Sequence, residues 1–261
     1  MKISVITTTK SNMQNILRLA KSLYPLYEEL YEFIIVDAGT PDLKDASNYC
    51  FNFPKIIDGE GTTRGEGKNI GIKNAKGDVI VFFDDDVKVD KNWFKELKKS
   101  LRHSDIVAGY SPNPYGKDMA RVPVYINGQD ITWPTCNIAY KRKVIDSVGY
   151  FKKELITAED IEYNCRCVKK GFTITYNPKM IAKHYHRETL KGFAKQAFWN
   201  GYGRRQFNRI HKNMSHIHGF SPKGILRLGF GFLGYVLGDL FNDNRNTWIS
   251  KISSCLCRHS C

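Results

Sequence analysis

The sequence predicts an α/β fold: a central, mostly parallel sheet flanked by helices, with a helical extension at the C-terminal end. Three observations predict it. Short apolar runs alternate with stretches of helical periodicity. Polar clusters gather where those runs end, which is where open parallel sheets bind ligands. One run, Val79–Phe83, is β-branched or aromatic throughout and stops at Asp84, Asp85 and Asp86. Gly77 before it and the carboxylates after it favour a buried strand over a buried helix. Three adjacent carboxylates repel one another unless solvent or a hard divalent cation separates them.

Taken in order, Ile3–Thr7 reads as the first strand and leads through Thr8 to a helix N-cap at Ser11 or Asn12. Met13, Ile16, Ala20 and Leu23 recur at helical steps, and Pro25 ends that helix. Phe33–Val36 is a second buried strand, with a sharp turn from Asp37 to Pro41, and a further strand lies near Lys55–Ile57. Gly59, Gly61, Gly65, Gly67 and Gly71 then surround Arg64 and Lys68. This stretch matches neither G-x-x-x-x-G-K-[ST] nor G-x-G-x-x-G. It reads either as a flexible loop or as an anion cradle, with Lys68 and Asn69 at the start of a helix over Lys68–Ala75. Trp133 to Asn137 precede another strand and a basic helix near Lys141–Ser147. Glu159 and Asp160 open a helix that Gly171 ends, with Cys165 and Cys167 expected on different faces. A last strand, beginning near Met180, carries His184 and His186 on one side.

Composition bounds the function. The 261 residues are 42% hydrophobic and 13% aromatic, which fits a folded protein and excludes a disordered one. A net charge of +14 implies an anionic partner: nucleotide, nucleic acid or acidic membrane surface. Seven scattered cysteines make a poor disulfide framework and favour a reducing compartment. Lys2–Ile6 reads as a strand, not as the apolar core of a secretory leader, so a cytoplasmic location is expected. Between residues 183 and 227 ten Lys or Arg face a single Glu, with aromatics interleaved. The apolar stretch Ile225–Leu240 follows and is shorter than the ~20 residues that span a bilayer. This end suits either peripheral attachment to the cytoplasmic face of an anionic membrane or a packed helical hairpin. Cys255, Cys257 and Cys261 beyond it could bind metal or accept lipid.

The ordered series Val5–Thr8, Ile35–Thr40, Gly67–Gly77 and Phe83–Asp86 resembles the family-2 glycosyltransferases of GT-A fold. So do Asn137–Arg142, Val148–Phe151, Glu159–Glu162, Gly171–Pro178 and His184–Leu190, and together they cover roughly residues 1–205. Ala38 stands where that family often has a second acid, and Lys68 where it often has Arg. The resemblance implies a nucleotide-diphosphate sugar donor, a glycan or lipid-linked acceptor and a Mg²⁺ or Mn²⁺ ion. It implies that Thr8 and Asp37 contact base or ribose and that Lys68 and Asn69 serve the diphosphate. Asp84 and Asp86 would form the D-x-D element, with Asp85 beside them and Asp86 the main metal ligand. A histidine, His184 or His186, would complete the metal site, and Asp160 would be the general base of an inverting displacement. Residues 1–100 would be the nucleotide-binding half of a catalytic domain, 101–210 its acceptor half, and 211–261 the extension.

Two other classes stand beside this reading. A non-catalytic nucleic-acid-binding protein would explain the charge but not the aspartate triplet or Glu159-Asp160. A sugar-nucleotidyltransferase could share the fold and the metal carboxylates. It would call for a glycine-rich loop after the first strand, where this chain has Thr7, Thr8, Thr9 and Lys10.

Overall fold

In the computed structural model the described residues are 1–10, 13–41, 43, 54–114, 123–185, 190–211 and 229–236. The Ser11 or Asn12 cap, His186 and the three C-terminal cysteines lie outside them. The chain divides into two compact units, one taking in Met1–Glu188 and the other the helices that follow.

The first unit is built on an eight-stranded sheet. Its strands, in chain order, are β1 (Ile3–Thr9), β2 (Glu32–Asp37), β3 (Pro54–Asp58), β4 (Val79–Phe83), β5 (Val87–Val89), β6 (Ile106–Tyr110), β9 (Asn137–Lys141) and β10 (Ile174–His184). The short β7 (Tyr125–Ile126) and β8 (Gln129–Asp130) form a separate hairpin. The order across the sheet is β3-β2-β1-β4-β9-β6-β10-β5. β1 pairs in parallel with β2 and β4, as do β2 with β3 and β6 with β10. β9 is antiparallel to both β4 and β6, and β5 is antiparallel to β10.

Helices α1 (Met13–Leu23) and α3 (Trp93–Ser100) cover one face, where Leu19, Leu23, Phe33, Val81 and Trp93 pack together. Helices α2 (Arg64–Asn74), α4 (Arg142–Val148) and α5 (Glu159–Lys169) cover the other, over Ile6, Ile34, Phe82, Tyr140 and Tyr163. All five residues of β4 are buried, as the apolar run requires. The α/β expectation and its mostly parallel sheet therefore hold.

The glycine-rich stretch is a short loop over residues 59–63 followed by a helix that does not begin at Lys68. Thr63 accepts from the Glu66 amide and Glu66 accepts from the Thr63 amide, a capping box that starts α2 a full turn earlier, at Arg64. Gly61 takes φ +74° in the loop, and the other four glycines serve close packing. A Cβ on Gly71 would lie 2.4 Å from Ile6 Cγ2, in the middle of β1. Gly71→Ala would overpack a stiff, fully buried side chain at about 1–3 kcal/mol, against about 1 kcal/mol gained in helix propensity. A lower denaturation midpoint is expected, and an unchanged or raised one would contradict the close approach.

Two other local differences have physical causes. β10 begins at Ile174, not near Met180, because a register shift between Asn177 and Ile181 lets the strand continue past Pro178. Cys165 and Cys167 are both fully buried, since α5 is covered on more than one side. The free cysteines among the described residues, Cys136, Cys165 and Cys167, are all buried.

In the second unit, α6 (Leu190–Ile210) packs against helical residues 229–236. Arg205 lies 5.0 Å from the Tyr235 ring centroid, and Asn208 donates to Tyr235 Oη. Cβ atoms on Gly201 or Gly234 would meet backbone of the opposing helix at 1.8 and 2.0 Å, so these glycines permit the contact. Among the described residues no helix is long and apolar enough to cross a membrane.

Candidate active site

The aspartate triplet forms the turn between β4 and β5. Its partner comes from the far end of the chain through sheet pairing. The antiparallel register sets His184 opposite Val87, and the Tyr185 amide donates to the Asp86 carbonyl at 2.9 Å. These contacts bring His184 Nε2 to 2.7 Å from Asp86 Oδ1 and 3.8 Å from Asp84 Oδ2. Burial alone would strip the proton from His184, but Cys136 and Asp86 beside it raise its pKa well above the usual imidazole range.

Donor atoms of Asp84, Asp86 and His184 all lie within 4.8 Å of one another. Two hard carboxylates and an imidazole with part of the site open to solvent suit Mg²⁺ or Mn²⁺, ions that accept substrate phosphates as further ligands. The residues fit the ion. Asp85 turns away from this group and accepts from Thr9 Oγ1 at 2.7 Å, and burial raises its carboxyl pKa to about 6.

Beside the triplet, the ends of β1 and β2 present Thr8 and Asp37. Asp37 is buried, and its Oδ1 accepts from the Gly39 and Thr40 amides at 3.1 and 2.7 Å. Gly39 takes φ +108°, a conformation that needs no side chain, and this allows the tight turn. Thr40 Oγ1 reaches Thr9 Oγ1 at 3.3 Å, so the Asp37 turn and Asp85 share one network. Thr8 is half-buried against Gly67 of α2.

The start of α5 supplies a third edge. Ala158, just before it, has φ +62°, a left-handed conformation that costs a non-glycine residue about 1–2 kcal/mol. From this strained turn Glu159 and Asp160 part company. Glu159 is buried and bonds Lys68 Nζ at 2.6 Å; burial opposes its charge, but Lys68 and Arg64 hold its pKa below the usual value. Asp160, half-buried, is pushed up to about 6 by burial and by the Glu159 charge. Adjacent acids with pKa values driven apart are the mark of divided acid–base roles.

Lys68 and Asn69 thus have engaged polar ends. Lys68 sits in the second turn of α2 against Glu159, and Asn69 both donates to and accepts from the Phe151 backbone, at 2.8 and 2.9 Å. Arg64, in the first turn, feels the carboxylates. Desolvation works against its charge, but Asp84, Glu159, Asp160 and Asp86 together raise its pKa. Its place became readable only once Thr63-x-x-Glu66 is recognised as the helix start. Asn137 is a second residue whose role the sequence conceals: it accepts from Trp93 Nε1 at 2.8 Å and donates to the Tyr110 and Met180 carbonyls. It thereby ties β9 to α3, β6 and β10.

Residues 4–152 match glycosyl transferase family 2. A similar protein is the dolichyl N-acetyl-alpha-D-glucosaminyl phosphate 3-beta-D-2,3-diacetamido-2,3-dideoxy-beta-D-glucuronosyltransferase of Methanococcus voltae, 27% identical over 233 residues, 78% of this chain and 71% of the relative. Glycosyltransferase AglE of Haloferax volcanii is 23% identical over 203 residues, 70% of this chain and 66% of its own length. Among solved structures, S. aureus TarS 1-349 in complex with UDP-GlcNAc aligns over 95% of this chain and 74% of its own, with a TM-score of 0.63 at 18% identity. The mannosyltransferase PcManGT from Pyrobaculum calidifontis, in complex with GDP-Man and Mn2+, aligns over 99% and 81% with a TM-score of 0.62 at 14% identity. More than half of the chain matches the family and nearly all of it follows the fold, so this protein belongs to glycosyl transferase family 2, adopts the GT-A fold and is a glycosyltransferase.

Proposed function

We propose that the enzyme is a metal-dependent, inverting glycosyltransferase that moves a sugar from a nucleoside-diphosphate sugar to a glycan or lipid-linked acceptor. The observation that carries this reading is the convergence of Asp84, Asp86 and His184 on one point. The divergent pair Glu159 and Asp160 lies in the same electrostatic field. The ion held there, when bound, neutralises charge on the departing diphosphate.

The chain's own groups account for the rest. Asp37 and Thr8, at the strand ends, accept from hydroxyl or imide donors of the nucleotide. Arg64 supplies positive charge beside the carboxylates. Lys68 and Asn69 serve the donor indirectly, by tying α2 to α5 and to Phe151. Asp160 takes the acceptor's proton as its oxygen attacks the anomeric carbon. The bond from that carbon to the diphosphate breaks on the opposite face, and configuration inverts. Residues 1–100 would then form the donor half and 101–210 the acceptor half.

Incubation with labelled UDP-, GDP- and TDP-sugars tests the reaction class. Free nucleoside diphosphate is expected; nucleoside triphosphate and sugar 1-phosphate formed only on adding pyrophosphate would mark a nucleotidyltransferase, and no turnover a binding protein. One relative's name carries a dolichyl N-acetyl-alpha-D-glucosaminyl phosphate, and the basic, aromatic stretch from residue 183 supports a peripheral site on an anionic cytoplasmic leaflet. Each Lys or Arg near such a surface contributes about 1 kcal/mol. Co-sedimentation with anionic liposomes that weakens as salt is added is expected. Absence of binding at low salt would remove the membrane from this reading.

A further inference from the structure

Trp133 and Tyr176 lie outside every contact described for the active site, yet they form an aromatic stack at the surface. Their ring centroids are 4.6 Å apart and their planes 14° from parallel. Trp133 packs on the core cluster beneath α5, and Tyr176 rests on it, 42% exposed. The support is rigid. Asn164 of α5 donates to the Ile131 and Trp133 carbonyls at 3.0 and 2.9 Å, and Asp130 accepts from the Thr132 amide and hydroxyl. Asn164 is itself buried and accepts from Tyr140 Oη at 2.7 Å.

The stack lies on the Asp160 side of the sheet. Tyr176 is in register with Ala108, whose side chain belongs to the cluster under α2, α4 and α5. Asn164, which holds the Trp133 loop, is one helical turn from Asp160, about 6 Å along α5. Across the sheet, Tyr176 shares a row with Ala108, Ile138 and Phe82. Three strand steps make about 14 Å from Phe82. Phe82 lies two residues before Asp84, and that span leaves room for the diphosphate and the transferred sugar between the cation site and Tyr176.

Flat aromatic faces carry partial negative charge and receive the C–H face of a pyranose, whereas a phosphate is disfavoured there. On the proposal that Asp160 is the base, we infer that Tyr176, seated on Trp133, is the platform for a sugar ring of the acceptor. The acceptor then carries at least one sugar, whether or not it is lipid-linked.

Wild type, Tyr176→Ala and Tyr176→Phe are compared for binding to immobilised linear oligosaccharides of one to four hexose, N-acetylhexosamine or hexuronic acid units. Hydrolysis of the sugar-nucleotide panel is measured on the same preparations. Wild type should bind at least one of these saccharides; Tyr176→Ala should lose about tenfold in affinity, the scale of one aromatic contact. Tyr176→Phe should keep that affinity, and donor hydrolysis should be equal in all three. Equal oligosaccharide affinity in wild type and Tyr176→Ala overturns the platform. So does a wild type that hydrolyses donor but binds none of the oligosaccharides. Tyr176-dependent binding without donor hydrolysis would uphold the platform and overturn the reading of Asp84, Asp86 and His184.

Discussion

Asp86→Asn is expected to reduce turnover by at least about 100-fold and to weaken Mn²⁺-dependent nucleotide binding in parallel. Even residues that only support a metal ligand are worth 10–100-fold, and Asp86 is proposed as a ligand itself. The substitution removes the charge that faces His184 at 2.7 Å while keeping the shape of the turn. Asp85→Asn provides the contrast. Its carboxyl accepts from Thr9, and a side-chain amide oxygen can do the same, so a loss of about tenfold or less is expected. Steady-state rates with Mn²⁺ titrated for both variants check the pair. Equal, full activity in the two would remove the cation site from the account.

The second large effect belongs to Asp160. Asp160→Asn should keep donor binding and lose transfer to a hydroxyl acceptor by about 10²–10⁴-fold, the range for a missing general base. The pH profile sharpens the test. Burial and Glu159 raise the Asp160 pKa to about 6, so below that pH the carboxyl is protonated and cannot accept a proton. Turnover should therefore climb through about pH 6 and level off above it. In Asp160→Asn that limb should be absent from the residual rate. An unchanged limb, or an unchanged rate, would place the base elsewhere or mean that the acceptor arrives ionised.

What the sequence discloses follows from how local each feature is. β4 is readable because a strand buried on both faces must be apolar at every position, and its end is marked by three charges. Amphipathic α1 is readable for the same kind of reason, since Ile16, Ala20 and Leu23 return to one buried face. The start of α2 is misread because five glycines suggest a loop, although the Thr63–Glu66 capping pair is present in the sequence. Partners distant in sequence are hidden. Lys68 meets Glu159 across 91 positions and Asn69 meets Phe151 across 82, and no local pattern announces either. Hence Lys68 reads as a phosphate ligand when its charge is engaged by a buried carboxylate. His184 meets Asp86 because β10 pairs with β5, a strand of three residues, too short to read from periodicity. The Trp133–Tyr176 stack depends on the β6–β10 register in the same way.

The central claim is that Asp84, Asp86 and His184 hold a divalent cation to which the donor nucleotide binds. Calorimetric titration of UDP and of GDP into the protein, with Mn²⁺ and then with excess chelator, measures this most directly. The account predicts that at least one nucleotide binds one-to-one with Mn²⁺ present, and that chelator abolishes the binding until Mn²⁺ is restored. Binding of equal strength with and without the metal, or none of either nucleotide in its presence, would contradict it.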